Sequence, residues 1–143
     1  MRMWNVNPKI LCNSHMLGEH VEMHFFLGWI KKGKSIKGFI EKGLVEVHNI
    51  KKRHDELAEE MIKRGMNHKS PMEDYNFETA GYVNIQENLK ELKKRCNKCC
   101  YLIEFDETVS RMAKEISDDI DNQIIQQIIE ESERFTDDQK NLG

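Results

Sequence analysis

The sequence predicts an all-α protein, a helical domain followed by a long amphipathic helix, and three observations carry that expectation. Charged residues make up 33% and hydrophobic residues 38% of the 143 positions, and only two are proline. Within the patterned stretches, apolar residues recur at steps of three, four and seven, the period of a helix face and not of a strand. Between those stretches lie the Asn, Gly and Ser-Pro signals that start and stop helices. A chain of this length is one domain, or one domain with an appendage; the expected division is 1–100, a helical domain, and 101–143, an acidic helix and tail.

Met1 to Val6 is partly apolar and expected to be extended or irregular. Asn7-Pro8 starts a helix, since Asn caps and Pro at the first helical position loses no needed hydrogen bond. That helix is predicted to run to about Ile30, with a bend at Gly18, and to end at Lys31-Lys32-Gly33-Lys34. Ser35 to Glu41 suits a short second helix with Ile36, Phe39 and Ile40 inward. From about Asn49 a third helix presents Ile50, His54, Leu57, Met61 and Ile62 as its apolar stripe, with Lys51, Lys52 and Arg53 mostly outside, and stops at Gly65. Asn67 to Tyr82 is polar and irregular. Asn84-Ile85-Gln86-Glu87 is a capping box that opens a helix to Arg95, with Ile85, Leu89 and Leu92 inside. Glu107 to about Glu133 is a long amphipathic helix with Val109, Met112, Ile116, Ile120, Ile124 and Ile128 in one stripe. That stripe closes the domain's own core or pairs with another copy or protein, so a homo-oligomer through this helix is one expectation. Phe135 to Gly143 is expected to fray.

The net charge of −3 conceals an asymmetry. Residues 1–70 carry 13 Lys/Arg against 8 Asp/Glu and all six histidines, whereas residues 101–143 carry 4 against 12. A basic half can meet a polyanion and an acidic tail repels or mimics one. Mean hydropathy is −0.71, no apolar run approaches the roughly 18 residues of a membrane span, and the first residues lack a signal-peptide core. A cytoplasmic protein with no membrane partner is the expectation.

The densest chemistry lies in His15-Met16-Leu17-Gly18-Glu19-His20-Val21-Glu22. Leu11, Gly18, Phe25 and Trp29 define one helix face by their spacing, and Glu22 falls on it. A carboxylate on a buried face is costly unless it is paired, protonated or doing chemistry. Its plainer reading is an ion pair with a nearby Lys, Arg or His. His15 and Glu19 stand one turn apart, within reach of each other, but lack the second histidine of a zincin helix. Cys96-x-x-Cys99 is half of a zinc site, and no second pair follows it; Cys12 and Cys100 complete a set only if the fold gathers them. Reduced thiols, with no metal and no cofactor, are expected. Lys31, Lys32, Lys34, Lys37, Lys42, Lys51, Lys52 and Arg53 are of the type that contacts phosphates, although lysines on a solvated surface are commonplace. Trp4 and Trp29 read as core.

At His15–Glu22 the sequence resembles the pyrimidine-dimer DNA glycosylases, the family of the phage endonuclease V. The likeness continues through Lys51-Lys52-Arg53-His54-Asp55-Glu56-Leu57-Ala58-Glu59-Glu60 and Lys63-Arg64-Gly65-Met66-Asn67, and covers about residues 1–72. The resemblance implies a compact helical repair enzyme acting on damaged or abasic double-stranded DNA. In such an enzyme the N-terminal α-amine attacks the sugar C1′, expels the base and forms a Schiff base; a helix glutamate assists, and β-elimination cuts the strand. Carried over by position, the glutamate is Glu22, the nearby histidine His15, and Arg2 matches the arginine after the nucleophilic residue. Bulky Arg2 predicts that Met1 is retained, and the register from Glu22 places the attacking amine on Met1. As a class, α-amines titrate about two units below lysine, so a useful fraction is neutral near pH 7. Arg2, His15, Glu19, Lys51 and Arg53 are expected to bind DNA or support the site. Val21 and Phe25 stand where the phage enzyme has arginines, and an acidic helix stands where it has an aromatic, basic segment. The competing expectation is a non-catalytic assembly protein, of a phage particle or nucleoprotein complex, built on the same core.

Overall fold

The computed structural model describes residues 1–141, with side chains through residue 136. The described residues are helical, without strands: α1 (Asn13–Lys31), α2 (Lys37–Glu41), α3 (Ile50–Lys63), α4 (Ile85–Arg95) and α5 (Asn97–Asn141), with single 3-10 turns at Pro8–Ile10 and Val47–Asn49. The chain forms two compact units, Met1–Glu104 and Phe105–Gly143.

Within the first unit the N-terminal segment is part of the core. Met3, Trp4 and Val6 are buried, and the Met3 N–H donates to the Leu44 carbonyl at 2.6 Å. Asn5 adopts φ 57°, a left-handed conformation that asparagine tolerates better than most side chains. Asn7 caps the turn that follows, its side-chain oxygen accepting the Lys9 N–H at 3.1 Å. The single helix expected from Asn7 to about Ile30 is instead two pieces. The backbone is extended at Leu11 (φ −86°, ψ 137°) and Cys12 (φ −67°, ψ 162°) before α1 begins. The Cys12 N–H, released from any helical ladder, donates to Cys99 Sγ at 3.3 Å. Beyond that break α1 continues through Gly18 without interruption.

The buried face of α1 consists of Met16, Glu19, His20, Met23, Phe26 and Leu27. This corrects the face expected from Leu11, Gly18, Phe25 and Trp29 by roughly a third of a turn, at 3.6 residues per turn. The cause is a second apolar stripe, Leu17, Val21 and Phe25, which is spaced like a core face yet is 39%, 45% and 52% exposed. Periodicity cannot choose between two such stripes, and the carboxylate that is carried inside is Glu19, not Glu22.

α3 packs against α1 and buries Ile50, Arg53, His54, Leu57, Ala58 and Met61. Ile62 is exposed, against expectation, and Arg53 is inside. Gly65 ends the helix at φ 79°, a conformation that favours glycine. Ile36 precedes the short α2 and is buried, with Phe39 and Ile40 packed partly against the same core. After an irregular stretch, α4 opens where the capping signal predicts, the Asn84 side chain accepting the Glu87 N–H at 3.1 Å. Leu92 is fully buried, whereas Ile85 is largely exposed. Helix α5 starts at Asn97 rather than Glu107 and continues past Glu133 to Asn141, so the part of the expected frayed tail up to there is helical; residues 142–143 lie outside the described residues. In the second unit Val109, Met112, Ile116, Ile120, Ile124 and Ile128 form an exposed stripe. Among the described residues no helix is long and apolar enough to cross a membrane.

Candidate active site

The N-terminal segment and Glu22 meet. The Arg2 backbone N–H donates to Glu22 Oε2 at 2.9 Å, and the Met1 α-amine is three covalent bonds from that nitrogen. Both Met1 and Glu22 are half-buried. A carboxylate of α1 thus lies beside the start of the chain.

The Arg2 side chain runs to Trp4 and α4. Its guanidinium lies 3.8 Å from the centre of the Trp4 ring, and Nη2 donates to Asn88 Oδ1 at 2.5 Å. Asn88, buried on α4, also donates through Nδ2 to the Trp4 carbonyl at 2.7 Å. Arg95 approaches the same indole at 5.3 Å, and burial together with Arg95 pulls the Arg2 guanidinium below its usual value. Arg2 therefore anchors the first residues, held by Asn88 of α4 and by the Trp4 ring, which Arg95 of α4 also approaches. Sequence reasoning missed Asn88 and Arg95, since an isolated Asn and a helix-end Arg carry no pattern.

Glu19 and Arg53 lie together at the centre of the unit, each 1% exposed. Arg53 holds the carboxylate in a two-bond fork, Nε to Oε2 at 2.5 Å and Nη2 to Oε1 at 2.8 Å. Its Nη1 donates to the Val6 carbonyl at 2.6 Å. Burial pushes the Glu19 carboxyl up, and Arg53 and the backbone amides of Asn5 and Trp4 pull against that shift. The pair ties α1, α3 and the N-terminal segment together, and Arg53 is too deep to touch a DNA phosphate. Lys51 is on the surface but faces Asp55 at 2.9 Å and Asp74 at 3.7 Å.

His15 is turned away from Glu19, and the hydrogen bond expected between them is not formed. Its Nδ1 lies 3.2 Å from Cys12 Sγ and 3.6 Å from Cys99 Sγ, and its ring stands edge-on to Trp4.

A second group of imidazoles lies along the α1–α3 contact. His20 Nε2 and His68 Nε2 are 3.0 Å apart, and His54 uses both ring nitrogens, on Asp55 Oδ1 at 2.8 Å and the Ser70 carbonyl at 3.0 Å. Burial, then His54, His24 and His68, lower the His20 value to about 4. Since this lies below the 6.5 of an unfolded histidine, the unfolded chain takes up the proton first as pH falls. The stability that His20 contributes is fully present above about pH 6.5 and lost between there and about pH 4. Thermal melts across that range should show a steep loss of stability, on the order of 3 kcal/mol from this group, that is flattened in His20→Gln. A slope equal in both proteins would exclude His20 as its source.

A family model described as pyrimidine dimer DNA glycosylase matches residues 1–74. No curated protein and no solved structure gives a match. The matched stretch covers just over half of the chain and contains Met1, Arg2, Glu19, Glu22, Lys51 and Arg53, so the chain belongs to the pyrimidine dimer DNA glycosylase family.

Proposed function

We propose that this protein is a DNA glycosylase with abasic-site lyase activity, in which the Met1 α-amine is the nucleophile and Glu22 its proton carrier. The observation that carries the reading is the Arg2 N–H bond to Glu22, which holds a carboxylate beside the chain's first residue. The neutral amine attacks C1′ of a damaged nucleotide, and the glycosidic bond breaks with its electron pair leaving on the base. Loss of the amine proton and opening of the sugar ring give the cationic imine, which the Glu22 charge stabilises. Removal of a C2′ proton then expels the 3′ phosphate, and water releases the enzyme. In this reading Glu22 takes and returns these protons, directly or through one water.

Lesion preference follows from the surface around Glu22. Val21 and Phe25, one residue before and three after it in α1, are exposed, and apolar groups there favour contact with an unstacked base or a widened groove over contact with phosphate. Damaged or abasic double-stranded DNA is the proposed substrate.

Borohydride reduction in the presence of abasic and of UV-irradiated duplex DNA tests the proposal. A covalent protein–DNA adduct is expected, with the DNA mapped to the Met1 peptide by mass spectrometry, and reductive methylation of the α-amine beforehand should abolish it. The exposed isoleucine stripe of α5 favours the alternative of a non-catalytic assembly protein. That reading prevails if no adduct forms on either DNA.

A further inference from the structure

Four side chains from two distant parts of the sequence converge in the first unit: Cys12, His15, Cys96 and Cys99. Their ligand atoms all lie within 4.8 Å of one another. Cys12 Sγ is 3.9 Å from Cys96 Sγ, and His15 Nδ1 is 3.2 Å and 3.6 Å from Cys12 Sγ and Cys99 Sγ. A tetrahedral zinc ion with Zn–S near 2.3 Å and Zn–N near 2.0–2.1 Å requires S···S edges of about 3.8 Å and S···N edges of about 3.6 Å. The Cys12–Cys96 and His15–Cys99 separations match those edges, the His15–Cys12 separation is somewhat shorter, and every pair lies within 4.8 Å.

The local architecture is the same on both sides. Cys12 is the extended residue before α1 and His15 lies in its first turn; Cys96 is the extended residue before α5 and Cys99 lies in its first turn. Each half is therefore a Cys-x-x-Cys/His turn at a helix N-terminus, where the helix dipole favours the thiolate. Backbone amides complete the surroundings. The Cys12 N–H donates to Cys99 Sγ at 3.3 Å and the Cys99 N–H to Cys96 Sγ at 3.4 Å, the outer contacts that orient metal-bound sulfur. Trp4, edge-on to the His15 ring at 5.9 Å, packs against the imidazole from outside the group.

From this convergence we infer that Cys12, His15, Cys96 and Cys99 form a structural zinc site. Three thiolates and one imidazole are the ligand set that zinc takes in closed, four-coordinate sites, and no position is left open for water or substrate. Binding converts three thiols to thiolates and releases their protons to solvent. Cys12 and Cys99 are buried, so the ion supplies the charge that would otherwise make buried thiolates costly. The site fastens the start of α1 to the α4–α5 junction, joining the family-matched residues 1–74 to a segment outside them. It stands whether or not the glycosylase reading does.

The full-length chain, purified under reducing conditions from zinc-supplemented medium, is expected to carry one equivalent of zinc by elemental analysis. Cobalt exchanged into it should show the intense d–d bands of a tetrahedral ion and thiolate-to-cobalt charge transfer. Cys96→Ser and His15→Ala should each weaken zinc binding by more than about 100-fold, beyond the usual effect of an outer contact. Cys100→Ser is the control, because that thiol points to Glu104 at 3.6 Å, and it should keep full metal content. If a ligand variant does not fold, chelation of the wild-type protein provides the second measurement: zinc release and a lowered melting temperature should coincide and reverse together on adding zinc. The inference is overturned if the reduced wild-type protein binds no zinc, if Cys100→Ser loses the metal as the ligand variants do, or if the native protein carries a Cys12–Cys96 disulfide and no metal.

Discussion

Replacing Arg53 with methionine is expected to lower the unfolding free energy by about 3–5 kcal/mol, the usual result of removing one partner of a buried ion pair. A domain of this size is stable by only about 5–15 kcal/mol, so a large share would go in one substitution. The loss has two parts. The Glu19 carboxylate, 1% exposed, keeps its position and loses the forked contacts at 2.5 and 2.8 Å. The Val6 carbonyl loses its donor at 2.6 Å, which frees the segment that leads back to Met1. The double variant Glu19→Leu, Arg53→Met should regain most of the loss, because apolar residues of similar volume often replace a buried pair at little cost. Urea titrations followed by far-UV circular dichroism measure both. A single variant within about 1 kcal/mol of wild type, the range of an exposed pair, would contradict the central role given to Arg53.

The same pair shows how far the sequence carries. Helix class, the Gly65 stop and the Asn84 cap are local properties, set by neighbours a few residues away, and they are legible from residue order. Which carboxylate is buried depends on the rotation of α1 against α3. The first helix is apolar on two faces, so spacing favoured Leu11, Gly18, Phe25 and Trp29, while packing selects Met16, Glu19, Met23 and Phe26. Arg53 reads as a solvated helix charge until its partner 34 residues earlier is known. Spacing marks Glu22 as a carboxylate on a buried face; in the structure it is half-buried and bonded to the backbone of Arg2.

The cysteines make the same point at longer range. Cys96-x-x-Cys99 is visible as a local turn, but its other half lies far away in the chain: Cys12 is 84 residues before Cys96 and His15 is 84 residues before Cys99. Helical spacing puts His15 within reach of Glu19, whereas the fold turns it to the thiols of Cys12 and Cys99. The extended residue Cys12 that breaks the expected first helix is what turns that half toward Cys99. A group assembled by tertiary packing from two short turns has no spacing signature of its own, and only the fold gathers it.

Glu22→Gln is expected to cut strand cleavage by about 10²–10⁴-fold, the range associated with a positioned acid–base group, while leaving the urea midpoint unchanged. Glutamine has the same shape, and its oxygen can still accept the Arg2 N–H that Glu22 Oε2 accepts at 2.9 Å. The side chain is only half-buried, so folding gains or loses little by the exchange. What disappears is the negative charge beside the cationic imine and the capacity to carry a proton. Duplex binding should therefore persist with an unchanged salt dependence, since that slope counts phosphates neutralised by cations and Glu22 is not a cation. Glu22→Asp separates geometry from charge: it keeps the carboxylate but withdraws it by one methylene, a misplacement of the scale that can itself cost about 10²-fold. Single-turnover cleavage of an abasic duplex, measured beside borohydride trapping, distinguishes the cases. Full turnover in Glu22→Gln would show that the carboxylate only anchors the Arg2 amide, and the proton traffic would then have to be assigned to solvent or to another side chain.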